Sequence, residues 1–163
     1  MGKTRVTLGL AAALASLDVS VLLVDLDPQA SATKVLGVEA EERHTIADVR
    51  FEPGRFSSSD VLVGTGWGFH LAPAETALAS RESRRATADE FILRRQLAGV
   101  VGYEVALVDC PPSLGLLTLN ALMAALRLIV VTEASSGSAG NRRVASDVRA
   151  CARSTTVSSS VRV

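Results

Sequence analysis

The stretch GKTRVTLGLAAALASLDVSVLLVDLDPQ, Gly2 to Gln29, decides how this chain is read. It holds three pieces in a fixed order: a Gly2-Lys3-Thr4 tripeptide, an Ala-rich helical run, and an apolar strand ending in Asp25-Leu26-Asp27. A loop that binds phosphate closes on Gly-Lys-Thr for physical reasons. Glycine lets the backbone N–H groups turn inward, lysine reaches the outer phosphate oxygens, and the hydroxyl holds Mg²⁺. A helix starting at Arg5 would add the positive end of its dipole. Val6, Leu10, Leu14 and Leu17 share one helical face, and Ala11, Ala12, Ala13 and Ala15 supply propensity.

Outward from this stretch, apolar runs of strand length recur at Val105 to Val108 and Leu128 to Val131, and a shorter strand is expected near Phe69 to Ala72. Continuous apolar runs without alternation suit parallel strands covered on both faces. Helices are expected at Ala30 to Leu36, Ala88 to Ala98 and Leu114 to Leu126, the last as a core-facing element. Glu52 to Gly68, rich in Gly, Ser and Pro, reads as connection. Strands alternating with helices predict an α/β fold, a doubly wound and mostly parallel sheet. From Ala134 onward there are eight Ser, five Arg and one acid, without a periodic apolar face. The chain therefore divides into a domain over 1–133 and a divergent, poorly structured tail over 134–163, with at most a weak helix around Arg142 to Ala152.

Composition narrows the function classes. Basic and acidic residues number 17 each in 163 residues, so no global field draws the chain to nucleic acid or anionic lipid. The two cysteines, Cys110 and Cys151, lack CxxC spacing, which argues against a disulfide scaffold or zinc site and fits a reducing cytoplasm. The longest apolar stretch, Val6 to Leu17, is too short to span a bilayer, and no signal peptide is expected.

The acids at strand ends carry the chemistry. Asp25 and Asp27 follow one apolar strand and Asp109 another, where open α/β sheets bind ligands. Carboxylates there can order a Mg²⁺ hydration shell and an attacking water. One such Asp would be read as a helix cap or turn residue; three after apolar runs point to a site. His44 and His70 stand alone, and Cys110 reads as a small buried residue. The Arg81 to Arg85 cluster reads as a solvated face, as does the Arg142-Arg143 pair.

Two matching stretches, Gly2 to Val38 and Tyr103 to Leu122, with DLDPQ and DCPPSLG at this spacing, make the chain resemble the ParA family of partitioning ATPases, in the deviant-Walker group with MinD. Thr45 to Val49 and Leu71 to Ala74 are similar to weaker landmarks of that family, so the resemblance covers about residues 2–133. It implies a P-loop fold and ATP with Mg²⁺ as cofactors, hydrolysed with nucleotide-dependent dimerisation. Gly2, Lys3, Thr4 and Arg5 would contact the phosphates, and Lys3 and Asp27 would act in catalysis, Asp27 by orienting water. Thr4, Asp25 and Asp109 would serve the metal, and Pro111 to Leu117 would form a switch. A ParB-like activator and non-specific DNA are implied as partners, without a membrane.

The family pattern KGGxGKT[ST] has a signature lysine and two glycines that this sequence lacks, and Arg5 stands where a small hydroxyl residue is usual. Met1 is expected to be a codon within a longer reading frame, and the change of character at Ser136 a frameshift or degenerate end. Two readings stay open: a partitioning ATPase seen in part, or an inactive ParA-like fragment that acts only as an interaction partner, such as of a full-length paralogue. A MinD-like role at a membrane lacks the amphipathic C-terminal helix it would need. A first strand, absent here, would lie beside the strand that ends at Asp109.

Overall fold

The computed structural model describes residues 2–39, 45–46, 61–74, 76, 78 and 89–131. Helix α1 runs from Lys3 to Ala15 and closes with a turn at Ser16 to Asp18, where the Val19 N–H reaches back to the Leu14 carbonyl. Strand β1, Val21–Asp25, comes next with all five residues buried, as a continuous apolar run requires. A short helix α2, Ser31–Val35, precedes strand β2, Val63–Gly64, and strand β3, His70–Ala72. A 3₁₀ turn at Asp89–Phe91 leads into α3, Ile92–Ala98; strand β4, Val105–Asp109, and helix α4, Leu116–Ala124, complete the described elements.

The sheet order is β2-β3-β1-β4. β1 is central, parallel to β3 on one side and to β4 on the other, while β2 pairs antiparallel with β3. Alternation along β1 divides the core into two. Leu22 and Val24 face a cluster with Leu93, Leu97, Leu117, Ala121 and Ala124 from α3 and α4. Val21 and Leu23 face the other cluster, with Leu8 and Ala11 of α1 and with Phe69 and Leu71. Helices thus cover both faces of a mostly parallel sheet, as the sequence pattern requires.

Three expectations are corrected. α1 buries Leu8 and Ala11 rather than the expected face: Val6 is 42% exposed and Leu17 72%. Ala11 and its half-buried neighbours Ala12 and Ala15 let the helix approach the sheet closely, so the small side chains set the contact face. Leu128 to Val131 forms no strand, and Leu128, Ile129 and Val130 are exposed. Its apolar side chains have no ladder to join, because β4 is the edge of the sheet among the described residues. Within the stretch read as connection, Val63 and Gly64 pair with β3 as a strand. Residues 47–60, the Arg81 to Arg85 cluster, His44 and the tail from 134 lie outside the described residues.

Candidate functional site

β1 and β4 are in register so that Asp25 lies opposite Asp109 at their carboxyl ends. The Leu26 N–H donates to the Asp109 carbonyl at 2.9 Å, which carries the pairing one residue past β1. The first turn of α1 stands over the same end of the sheet. Lys3 and Thr4 are its first two residues, its N-cap Gly2 supplies no side-chain cap, and no acid occupies its first turn. The N–H groups and the positive end of the dipole are therefore left for an anion.

Asp109 is 1% exposed, and its Oδ2 has no hydrogen-bond partner among the described residues. Burial pushes its carboxyl above the usual range, and the Asp27 charge adds to the rise. The Thr4 hydroxyl, the Lys3 charge and the Thr7 hydroxyl pull it back. A buried carboxylate oxygen with no partner is costly unless a donor or cation completes it. Mg²⁺ fits this donor set, since it uses one or two protein oxygens and fills its octahedron with water and phosphate. Among the described residues no group of three or more His, Cys, Asp and Glu forms a metal cage.

Asp25 is placed differently. Its Oδ1 accepts the Asp27 N–H at 3.1 Å; its Oδ2 accepts the Thr33 N–H at 3.0 Å and the Thr33 hydroxyl at 2.8 Å. Burial nevertheless pushes its carboxyl up to about 6 against those bonds. The sequence grouped Asp25 with the metal residues. In the structure both of its oxygens are committed to the turn that leads into α2. Asp27 is half-buried and gives one oxygen to the Gln29 N–H at 2.9 Å, an Asx turn on Asp-Pro-Gln.

The structure thus gathers Lys3, Thr4, Asp25, Asp27 and Asp109 at one end of the sheet. Arg5 is exposed on α1, and Gly2 lies beside Val131, whose Cγ1 would be 3.7 Å from a Cβ built there. Thr7 and Thr33 were not singled out from sequence. Thr7 stands three residues after Thr4, on the same helical face, and its hydroxyl donates to the Lys3 carbonyl at 3.0 Å. Thr33 stands in the first turn of the helix after DLDPQ, where Ser and Thr meet backbone donors. His70 packs edge-on against Tyr103 at 5.5 Å, at the other end of β3 from the site. The half-buried Cys110 thiol is pushed up to about 12, chiefly by burial and then by the Asp109 charge, which keeps it protonated at neutral pH.

Comparisons with known proteins bear on the family and the fold. The family model described as AAA domain matches residues 1–156. The chain is 42% identical over 154 residues to the chromosome-partitioning ATPase Soj of Thermus thermophilus, covering 92% of this chain and 59% of that protein. Other curated relatives are spanned to about half their length, 51% for a Pseudomonas putida protein. Among solved structures, cobyrinic acid a,c-diamide synthase from Mycobacterium smegmatis, with bound ATP analog and magnesium, superposes with a TM-score of 0.78 at 38% identity. That match covers 91% of this chain and 64% of the synthase. A plasmid partition protein from Borrelia burgdorferi shares the fold, with a TM-score of 0.82 at 22% identity over 92% of this chain and 69% of that one. On the family-model match over residues 1–156 and the 42% identity to Soj, the chain belongs to the ParA/Soj family of AAA-domain partitioning ATPases.

Proposed function

We propose that this chain carries the nucleotide-handling part of a ParA-like partitioning ATPase, binding and hydrolysing Mg-ATP. The observation that supports the reading most strongly is the buried, unpartnered Oδ2 of Asp109 beside Thr4 and Lys3. Mg²⁺, when bound, supplies positive charge against the oxygens on which charge builds during phosphoryl transfer. The chain's own residues do the rest. Lys3 and the open N–H groups after Gly2 receive phosphate oxygens, and Arg5 adds charge alongside. The Thr4 hydroxyl and, through water, Asp109 hold the cation. Asp27, fixed at one oxygen by Gln29, offers the other to a water and orients it for in-line attack.

Nucleotide-dependent dimerisation, association with non-specific DNA, a ParB-like activator and a cytoplasmic setting belong to the same family reading. No helix among the described residues is long and apolar enough to cross a membrane. The second reading is a non-hydrolysing partner of a paralogue. Phosphate release from Mg-ATP separates the two. The ATPase reading expects turnover that Asp27→Ala abolishes while Mg-ATP binding persists. A folded chain that binds without turnover would support the second reading.

A further inference from the structure

Thr33 sits at the junction of three segments that carry or flank the site. Its hydroxyl donates to Asp25 Oδ2 at 2.8 Å and accepts the Ala74 N–H at 3.0 Å, so β1, α2 and the residues after β3 meet at one oxygen. Thr33, Asp25 and Ala74 are each 1% exposed or less, so water does not substitute for any of these bonds. The other Asp25 oxygen holds the Asp27 N–H at 3.1 Å. The line of contacts therefore runs from Ala74 through Thr33 and Asp25 to the backbone of Asp27. The Asp27 carbonyl in turn holds the Ala30 N–H at 2.8 Å, which closes the turn on itself.

We propose that Thr33 is a positioning residue: through Asp25 its hydroxyl fixes the backbone of Asp27, and so the direction in which the Asp27 carboxylate presents water, and it couples that direction to the exit of β3. The proposal rests on the ATPase reading for its consequence in turnover, and on hydrogen bonds alone for the coupling. Thr33→Val keeps the shape of the side chain and removes both the donor and the acceptor; Thr33→Ser keeps both.

The test combines amide hydrogen exchange on the full chain with steady-state hydrolysis of Mg-ATP. In Thr33→Val, the Asp27 and Ala74 amides lose protection together, by about tenfold or more, relative to the Leu23 amide in the core of β1. kcat falls by about tenfold with KM within about twofold, the pattern of a group that acts only as the reaction proceeds. Thr33→Ser restores both. If Thr33→Val does not fold, Thr33→Ala is read in the same way. Unchanged protection at Asp27 in the variant, or a Ser variant no better than Val, overturns the proposal. A wild-type chain without turnover sinks the ATPase reading, and the exchange result then decides the coupling by itself.

Discussion

Asp25 and Asp109 are register partners at the ends of adjacent parallel strands, yet one carboxylate is fully bonded to protein and the other keeps an unpartnered oxygen. The difference lies in the segment that leaves each strand. After β1 the chain turns back at once into α2, and the turn donates N–H groups to Asp25. After β4 it leaves through Cys110 and Pro111, and proline has no N–H to give. Position in the sheet is shared; employment is not.

The two carboxylates should therefore respond differently to substitution. Asp25→Ala strands three donors, two of them buried, and a loss of about 2–3 kcal/mol is expected in urea unfolding at pH 7. Asp109→Asn removes a buried charge one oxygen of which has no hydrogen-bond partner among the described residues. Because the unpartnered oxygen is relieved while the Thr4, Thr7 and Lys3 interactions weaken, it should change stability by no more than about 1 kcal/mol, while Mg-dependent nucleotide binding is lost. Equal destabilisation by both variants would show that the two carboxylates are used alike.

The pH dependence runs against the common acid-labile pattern. Both carboxyls are raised on folding, Asp25 from 3.8 to about 6, so the folded chain binds these protons more tightly than the unfolded chain. The proton-linked part of the stabilisation at Asp25 is complete below pH 3.8, fades as pH rises, and is gone above about 6, which leaves the hydrogen bonds to its carboxylate in place. Its full size is about 3 kcal/mol, since a tenfold change in proton affinity is worth about 1.4 kcal/mol. Unfolding midpoints between pH 4 and 7 should show that Asp25→Asn removes this slope from the wild-type profile.

Ala30 adopts φ 52 and ψ 43, the left-handed region, at the N-cap of α2. Its Cβ makes that conformation costly, and glycine has no such penalty. Ala30→Gly should stabilise the chain by about 1 kcal/mol, after glycine's larger unfolded-state entropy is deducted. A destabilised Gly variant would mean that the buried Ala30 methyl contributes more by packing than its backbone costs.

Cys110 should resist alkylation in the folded chain. With the thiol pushed up to about 12, thiolate at pH 8 is scarce. In a Cys151→Ser background, iodoacetamide labelling is expected to be at least about a hundredfold slower than in denaturant. Fast labelling under native conditions would contradict the raised thiol of this half-buried residue.

Much of this was legible in the sequence because each signal was local. The continuous apolar run at Val21 to Val24 identified β1, and the same pattern identified β4. The Leu114 to Leu126 stripe was read as core, and α4 buries Leu117, Ala121 and Ala124, while Leu114, Leu119 and Leu126 of the same stripe are exposed. What failed depended on partners distant in sequence. Leu128 to Val131 has the composition of a strand, but a strand needs a ladder, and composition does not say whether one is adjacent. The face of α1 was misread because leucines were weighted over alanines, although close approach to a sheet favours the small residue. Thr33 escaped notice for a similar reason: its bonds to Asp25 and Ala74 span 8 and 41 residues.

The central claim is that Lys3, Thr4 and Asp109 together hold a magnesium nucleotide. Titration calorimetry of ATP into the full chain, with and without Mg²⁺ and beside Lys3→Ala, tests it most directly. Binding that requires Mg²⁺ and weakens by about a hundredfold in Lys3→Ala, or about 2.7 kcal/mol, is the expected result. A folded chain that binds no Mg-ATP, or binds it as tightly without Lys3, would contradict the account.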